Sequence, residues 1–120
     1  VRGEKKREAC IFCKIVERRK PCTIVDEDEK ILAFKDINPQ APFHVLLIPK
    51  EHFSSLNEVP EKKKAILGEL LFKAREIARQ NSLDKIGYRI ILNTEKDSGQ
   101  QVFHLHLHLL GGRRMLWPPG

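Results

Sequence analysis

The chain has 120 residues, of which 41% are hydrophobic and 32% charged, and it carries a formal net charge of +6 at pH 7. That length suits one domain, the balance excludes a disordered chain, and no apolar run approaches the ~20 residues of a membrane span. A basic excess suits partners that carry phosphate. The lysines and arginines at Lys5 to Arg7, Arg18 to Lys20 and Lys62 to Lys64 lack interleaved aromatics, so they read as solvated surface and not as a platform for single-stranded nucleic acid.

Residues 1–8, Val-Arg-Gly-Glu-Lys-Lys-Arg-Glu, read as a charged flexible tail without a signal-peptide core, so the expected address is cytoplasmic. Residues 9–120 are expected to form the single domain. Ile11 to Glu17 reads as a short helix, ended by the basic run and Pro21. Cys22 to Asp26 and Lys30 to Lys35 read as two strands around the acidic turn Asp26-Glu-Asp-Glu29. Asp36 to Pro42, with two prolines, is a loop, and Phe43 to Ile48 a central strand.

Ile66, Leu67, Leu70, Leu71, Ala74, Ile77 and Ala78 recur with helical spacing and predict one long amphipathic helix, with Pro60 in its first turn. Asp84 to Gly87 is expected as a turn and Tyr88 to Asn93 as a strand. Thr94 to Gly99 reads as a polar loop, and Gln100 to Leu110 as a last strand broken by Gly111-Gly112. The order predicts an α+β domain with a mainly antiparallel sheet.

That last strand holds the strongest chemical signal. His104, His106 and His108 alternate with Leu105, Leu107 and Leu109. Alternation along a strand puts the imidazoles on one face, with Phe103 and the leucines buried behind them. Neighbouring imidazoles depress one another's pKa, so either a phosphate or a metal ion is needed to reward the cluster. For phosphate, one ring attacks phosphorus while its neighbours bind the phosphoryl oxygens, and His44, on the central strand, is placed to orient the attacking ring. For a metal, His-x-His is a zinc-ligand spacing and a third imidazole would complete a catalytic site. Three cysteines (Cys10, Cys13 and Cys22) make an odd count, which argues against a disulfide framework. Cys10-Ile-Phe-Cys13 has the two-residue spacing with which two thiolates hold one metal ion.

The run His104-Leu-His106-Leu-His108-Leu-Leu110 resembles the defining motif of the histidine-triad (HIT) family. Matching pieces include Ile11-Phe-Cys-Lys-Ile15, Leu32-Ala-Phe-Lys-Asp-Ile37, His44 to His52 and Gly99 to His104. The ending Leu109 to Gly120, with Trp117-Pro-Pro, is similar to the Hint branch, the histidine-triad nucleotide-binding proteins. The resemblance implies a five-stranded antiparallel sheet with one long helix and a short N-terminal helix, dimerising into a ten-stranded sheet. It implies hydrolysis of nucleoside 5′-phosphoramidates, of the AMP-amine type, through a nucleotidyl-histidine intermediate. The rival activities are cleavage of dinucleoside polyphosphates and nucleotide-binding scaffolding with incidental catalysis. His106 matches the nucleophile, His108 a phosphate-binding ring and His44 the ring that orients the nucleophile. Ile11, Phe12, Phe34 and Ile37 match the base pocket and Asp36 the ribose-binding carboxylate. Asn93 and Gln100 match polar residues near the phosphate, and Trp117 an aromatic that reaches the partner subunit's site. Gln101 departs from the serine usual after Gln100, which bears on the leaving group. Some members carry a structural zinc, implied here on Cys10, Cys13, His52 and His104, with no catalytic cofactor. Cys22 is then a small core residue.

Overall fold

The computed structural model of the chain describes residues 9–120. The expected charged tail, residues 1–8, lies outside the described residues. In chain order the elements are helix α1 (Ile11–Val16), strands β1 (Ile24–Glu27), β2 (Ile31–Lys35) and β3 (Phe43–Pro49), helices α2 (Ala65–Gln80) and α3 (Leu83–Ile86), and strands β4 (Tyr88–Ile91) and β5 (Leu107–Gly111). The five strands form one antiparallel sheet in the order β1-β2-β3-β5-β4, as the α+β reading requires.

Both faces of this sheet are covered, which explains the unbroken apolar runs of β2 and β3. On one face Ile31, Ala33, Val45, Leu47, Leu105, Leu107 and Leu109 meet Leu70, Ala74, Ile77 and Ala78 of α2. On the other, Leu32, Phe34, Leu46 and Ile48 meet Phe12 and Ile15 of α1, together with Cys10 and Cys13. Burying each such aliphatic side chain contributes about 1.5–3 kcal/mol of transfer free energy. Period-two alternation assigns each strand residue to its layer. His44 shares the parity of Leu46, so it faces the α1 side.

The acidic turn between β1 and β2 is closed by Asp28, whose Oδ1 accepts from the N–H groups of Lys30 and Ile31, 2.8 Å each. Lys73 of α2 reaches Asp28 at 2.9 Å and pins the hairpin to the helix.

Several expectations give way locally. The last strand starts at Leu107, and residues 101–106 are irregular, with the Leu105 N–H donating to Phe53 O at 2.6 Å. Phe103 lies on that bend and is half exposed instead of buried. Leu71 falls at the edge of the apolar stripe and is exposed. Pro60 caps a separate 3-10 turn (Glu61–Lys63), not the long helix. Residues 84–87 are not a plain turn: α3 covers most of them, and its Leu83 is buried against Gly111. A Cβ at Gly111 would stand 2.8 Å from the Leu83 methyl carbons, so a larger residue there would push the Leu83 side chain aside. Cys22 is half-buried at the margin of the α1-side cluster. No helix among the described residues is long and apolar enough to cross a membrane.

Candidate functional site

Strand register brings the histidines together. His44 pairs with Leu110 and Leu46 with His108, so His44 and His108 are diagonal neighbours on the α1 face. Their ring centroids are 5.2 Å apart, and those of His106 and His108 are 5.0 Å apart. Phe12 of α1 stands edge-on to His106 at 5.2 Å and to Phe34 at 5.5 Å.

Main-chain groups set the tautomer of each ring, because an N–H can only donate and a carbonyl can only accept. The N–H of Gln40 donates to His44 Nδ1 at 3.0 Å. In the neutral ring the His44 proton therefore sits on Nε2, which donates to His108 Nδ1 at 2.9 Å. That puts the His108 proton on Nε2. His106 Nδ1–H donates to the carbonyl of His104 at 2.6 Å, which leaves the His106 Nε2 lone pair unused by that bond. The site thus offers one nucleophilic nitrogen beside one N–H donor. His44 orients His108, and the orienting group of His106 is the His104 carbonyl, not His44.

Burial disfavours the charged form of all three rings. Burial lowers the pKa of His44 and of His106, partly opposed by the Asp36 carboxylate. Burial, with the adjacent His106 and His44, pushes His108 down to about 4. Asp36 Oδ2 lies 3.4 Å from His44 Nε2, while its Oδ1 accepts from the Asn38 N–H at 2.8 Å.

His106 and His108 open onto a cavity of ≈ 530 Å³, also lined by Ile11, Phe12, Phe34, Asp36, Ile37, His44, Asn93 and Gln101. Its buried lining includes Phe12, Ile15, Phe34 and Leu46, and Asp36, Asn93 and Gln101 add polar groups. Ile37 is 92% exposed and stands at the mouth. Two expected residues are absent from the lining. Gln100 is buried, with Nε2 donating to the carbonyls of Ser54 (2.9 Å) and Val102 (3.1 Å) and Oε1 accepting from the Glu95 N–H (2.7 Å). All its amide groups are used in holding the loop. Trp117 is 82% exposed and is not among the residues lining this cavity. Sequence reasoning missed Gln40, whose contribution is a backbone N–H, and Val102, Leu46 and Lys20 of the lining.

His104 belongs to a different cluster. Its Nε2–H donates to Pro49 O at 2.8 Å, so its Nδ1 presents a lone pair. That atom is 3.3 Å from Cys10 Sγ, 3.6 Å from Cys13 Sγ and 3.2 Å from His52 Nδ1. Cys13 Sγ is 3.3 Å from His52 Nδ1. Tetrahedral zinc with two sulfur and two nitrogen ligands needs ligand–ligand edges of roughly 3.3–3.8 Å. The four donors fit that ion, and the Cys13 N–H also donates to Cys10 Sγ at 3.3 Å, holding that sulfur in place. Asp36, His44 and His108 also converge, but their 2.9 Å ring-to-ring contact has hydrogen-bond geometry and is shorter than a tetrahedral zinc edge. The three triad rings do not converge on one point, so a triad-bound catalytic metal has no support.

The model of the HIT domain matches residues 17–115. The chain belongs to the HIT family. A "14 kDa zinc-binding protein" of Zea mays is 50% identical over 112 residues, covering 92% of this chain and 87% of that one. "Adenylylsulfatase HINT1" of Arabidopsis thaliana is 47% identical over 112 residues, covering 92% and 76%. A solved HIT family hydrolase of Legionella pneumophila superposes with a TM-score of 0.90 at 49% identity, covering 92% of this chain and 99% of that chain. The HIT motif of the sequence is therefore the site just described.

Proposed function

We propose that this HIT protein hydrolyses nucleoside 5′-phosphoramidates, with His106 as nucleophile. The observation that carries the reading is the tautomer pattern: His106 Nδ1–H is held by the His104 carbonyl, and its Nε2 lone pair remains for phosphorus. Base and ribose lie in the apolar cavity, with the hydroxyls donating to Asp36. His106 Nε2 attacks the α-phosphorus, the P–N bond breaks, and the amine leaves with a proton from solvent. The ring now bears a positive charge, which the His104 carbonyl and the Asp36 carboxylate stabilise. His108 Nε2–H donates to a phosphoryl oxygen as charge builds. Water then attacks the nucleotidyl-histidine, releasing the nucleotide and restoring His106. Asn93 and Gln101 face the phosphate and leaving group. Gln100 acts as scaffold.

Cys10, Cys13, His52 and His104 are the residues that would hold a structural zinc. Bound there, the ion supplies a crosslink between α1 and the segment leading into β5. The name of the maize relative supports this reading. A homodimer is part of the same proposal: β4 leaves one sheet edge open, and Arg89 Nη1–H donates to Leu116 O at 3.0 Å, tying the C-terminal segment to that strand. Trp117 is then exposed for a partner subunit's site.

The name of the Arabidopsis relative favours a second leaving group, sulfate, on the same adenylyl chemistry. Turnover of an AMP-amine conjugate, adenylyl sulfate and a diadenosine polyphosphate, compared by kcat/KM, tests the choice. The conjugate is expected to turn over fastest, and faster cleavage of either rival replaces it.

A further inference from the structure

Arg113 follows the last strand, is exposed, and has no direct contact with the catalytic rings among its hydrogen bonds. Its Nε–H donates to the carbonyl of Gln40 at 3.0 Å, and its Nη1–H to the carbonyl of Arg114 at 3.1 Å. Gln40 is the residue whose N–H donates to His44 Nδ1 at 3.0 Å. Its two flanking peptide groups are thus held from opposite sides, one by Arg113 and one by His44, which fixes both backbone torsions of a single loop residue. The next link is His44 Nε2–H to His108 Nδ1 at 2.9 Å.

The neighbouring backbone reinforces the same approach. Gly112 has φ +88°, and a Cβ there would stand 3.0 Å from Pro42 Cβ and 3.6 Å from the Phe43 nitrogen. The chain leaving β5 therefore lies directly on the loop between Asp36 and Pro42. That loop carries Asp36 and Ile37 of the cavity as well as Gln40. No other side chain donates to the Gln40 carbonyl in the hydrogen bonds of the described residues.

We infer that Arg113 is a positioning residue: by anchoring the Gln40 carbonyl it keeps the Gln40 N–H on His44, and so holds the proton of His108 on the nitrogen that faces substrate. This rests on the proposed hydrolase reading for its kinetic consequence but not for its tautomer consequence. Without the anchor, the loop torsions relax and His44 exchanges between its two neutral forms. In the wrong form His44 Nε2 is an acceptor, and His108 must place its proton on Nδ1 to meet it. His108 then presents a lone pair to the phosphoryl oxygens. Binding of base and ribose needs only the cavity wall, so the loss falls on kcat more than on KM.

The test is long-range ¹⁵N–¹H correlation of the histidine rings at pH 7.5 in the full chain, with steady-state kinetics on an AMP-amine conjugate. Wild type is expected to show His44 and His108 both protonated on Nε2. Arg113→Ala is expected to show mixed tautomers at both rings and about a tenfold lower kcat, with KM within about twofold. Arg113→Lys, which can still donate to the Gln40 carbonyl, is expected to restore the wild-type tautomers and most of kcat. Unchanged tautomers in Arg113→Ala overturn the inference, whether or not the rate falls, and leave the hydrolase reading intact. A wild-type His44 protonated on Nδ1 removes the relay itself and overturns the inference, while the hydrolase reading still stands or falls on His106.

Discussion

Replacing Asp36 with asparagine isolates the charge at this site. Asparagine keeps an Oδ1 acceptor for the Asn38 N–H, which now closes the turn at 2.8 Å. What is lost is one negative charge 3.4 Å from His44 Nε2. At that separation the attraction to a cationic ring is about 1 kcal/mol in a water-like medium and about 5 kcal/mol at an effective dielectric of 20. The Asp36 side chain is 18% exposed at the edge of an open cavity, so the lower part of that range applies. The ratio of charged to neutral His44 at a given pH should therefore fall by at least about fivefold. Titration of the His44 ring protons by NMR reads this directly, and the midpoint in Asp36→Asn should lie below that of wild type. The same variant should lose discrimination between adenosine and 2′-deoxyadenosine substrates, since the carboxylate is the proposed ribose acceptor. A His44 midpoint that stays put or rises refutes the electrostatic reasoning, and unchanged ribose discrimination refutes the assignment of Asp36.

Acid stability should follow the buried rings. His108 is pushed from 6.5 to about 4, and His44 also lies below its ordinary value. The unfolded chain therefore takes up protons before the folded one does. Stability from these rings is complete above pH 6.5 and is lost as pH falls toward 4, so the urea midpoint should drop steadily between pH 7 and pH 4.5. A flat midpoint over that range contradicts the burial account. Zinc added to metal-free protein should bind one ion per chain and, at about a hundredfold excess over its dissociation constant, raise stability by about 2.7 kcal/mol. Cys13→Ser should abolish most of that gain, and an equal gain in the variant would move the metal elsewhere.

Much of the site was legible because side-chain periodicity survives irregular backbone. Leu105 enters the α2-side core although the strand proper starts at Leu107, and the alternation still turns His106 and His108 toward α1. Spacing likewise exposed the Cys10 and Cys13 pair, and the resemblance supplied His52 and His104 as their companions. What escaped was contributed by the main chain. The Gln40 N–H and the carbonyls of His104 and Pro49 set the ring tautomers, and every residue type carries those groups. Polarity alone also cannot separate a ligand-facing amide from a loop staple, which is why Gln100 reads like Asn93 in sequence but sits away from the cavity. Phe103 and Leu71 were expected inside from their period; a bend exposes the first and the narrowness of the helix stripe the second.

Mass spectrometry of a rapidly quenched reaction with an AMP-amine conjugate goes straight to the nucleophile. The account predicts a nucleotide mass added to the peptide that contains residue 106, localised to His106 and missing when that position is alanine. An adduct on His108 or His44, or turnover at the wild-type rate in His106→Ala, would contradict it.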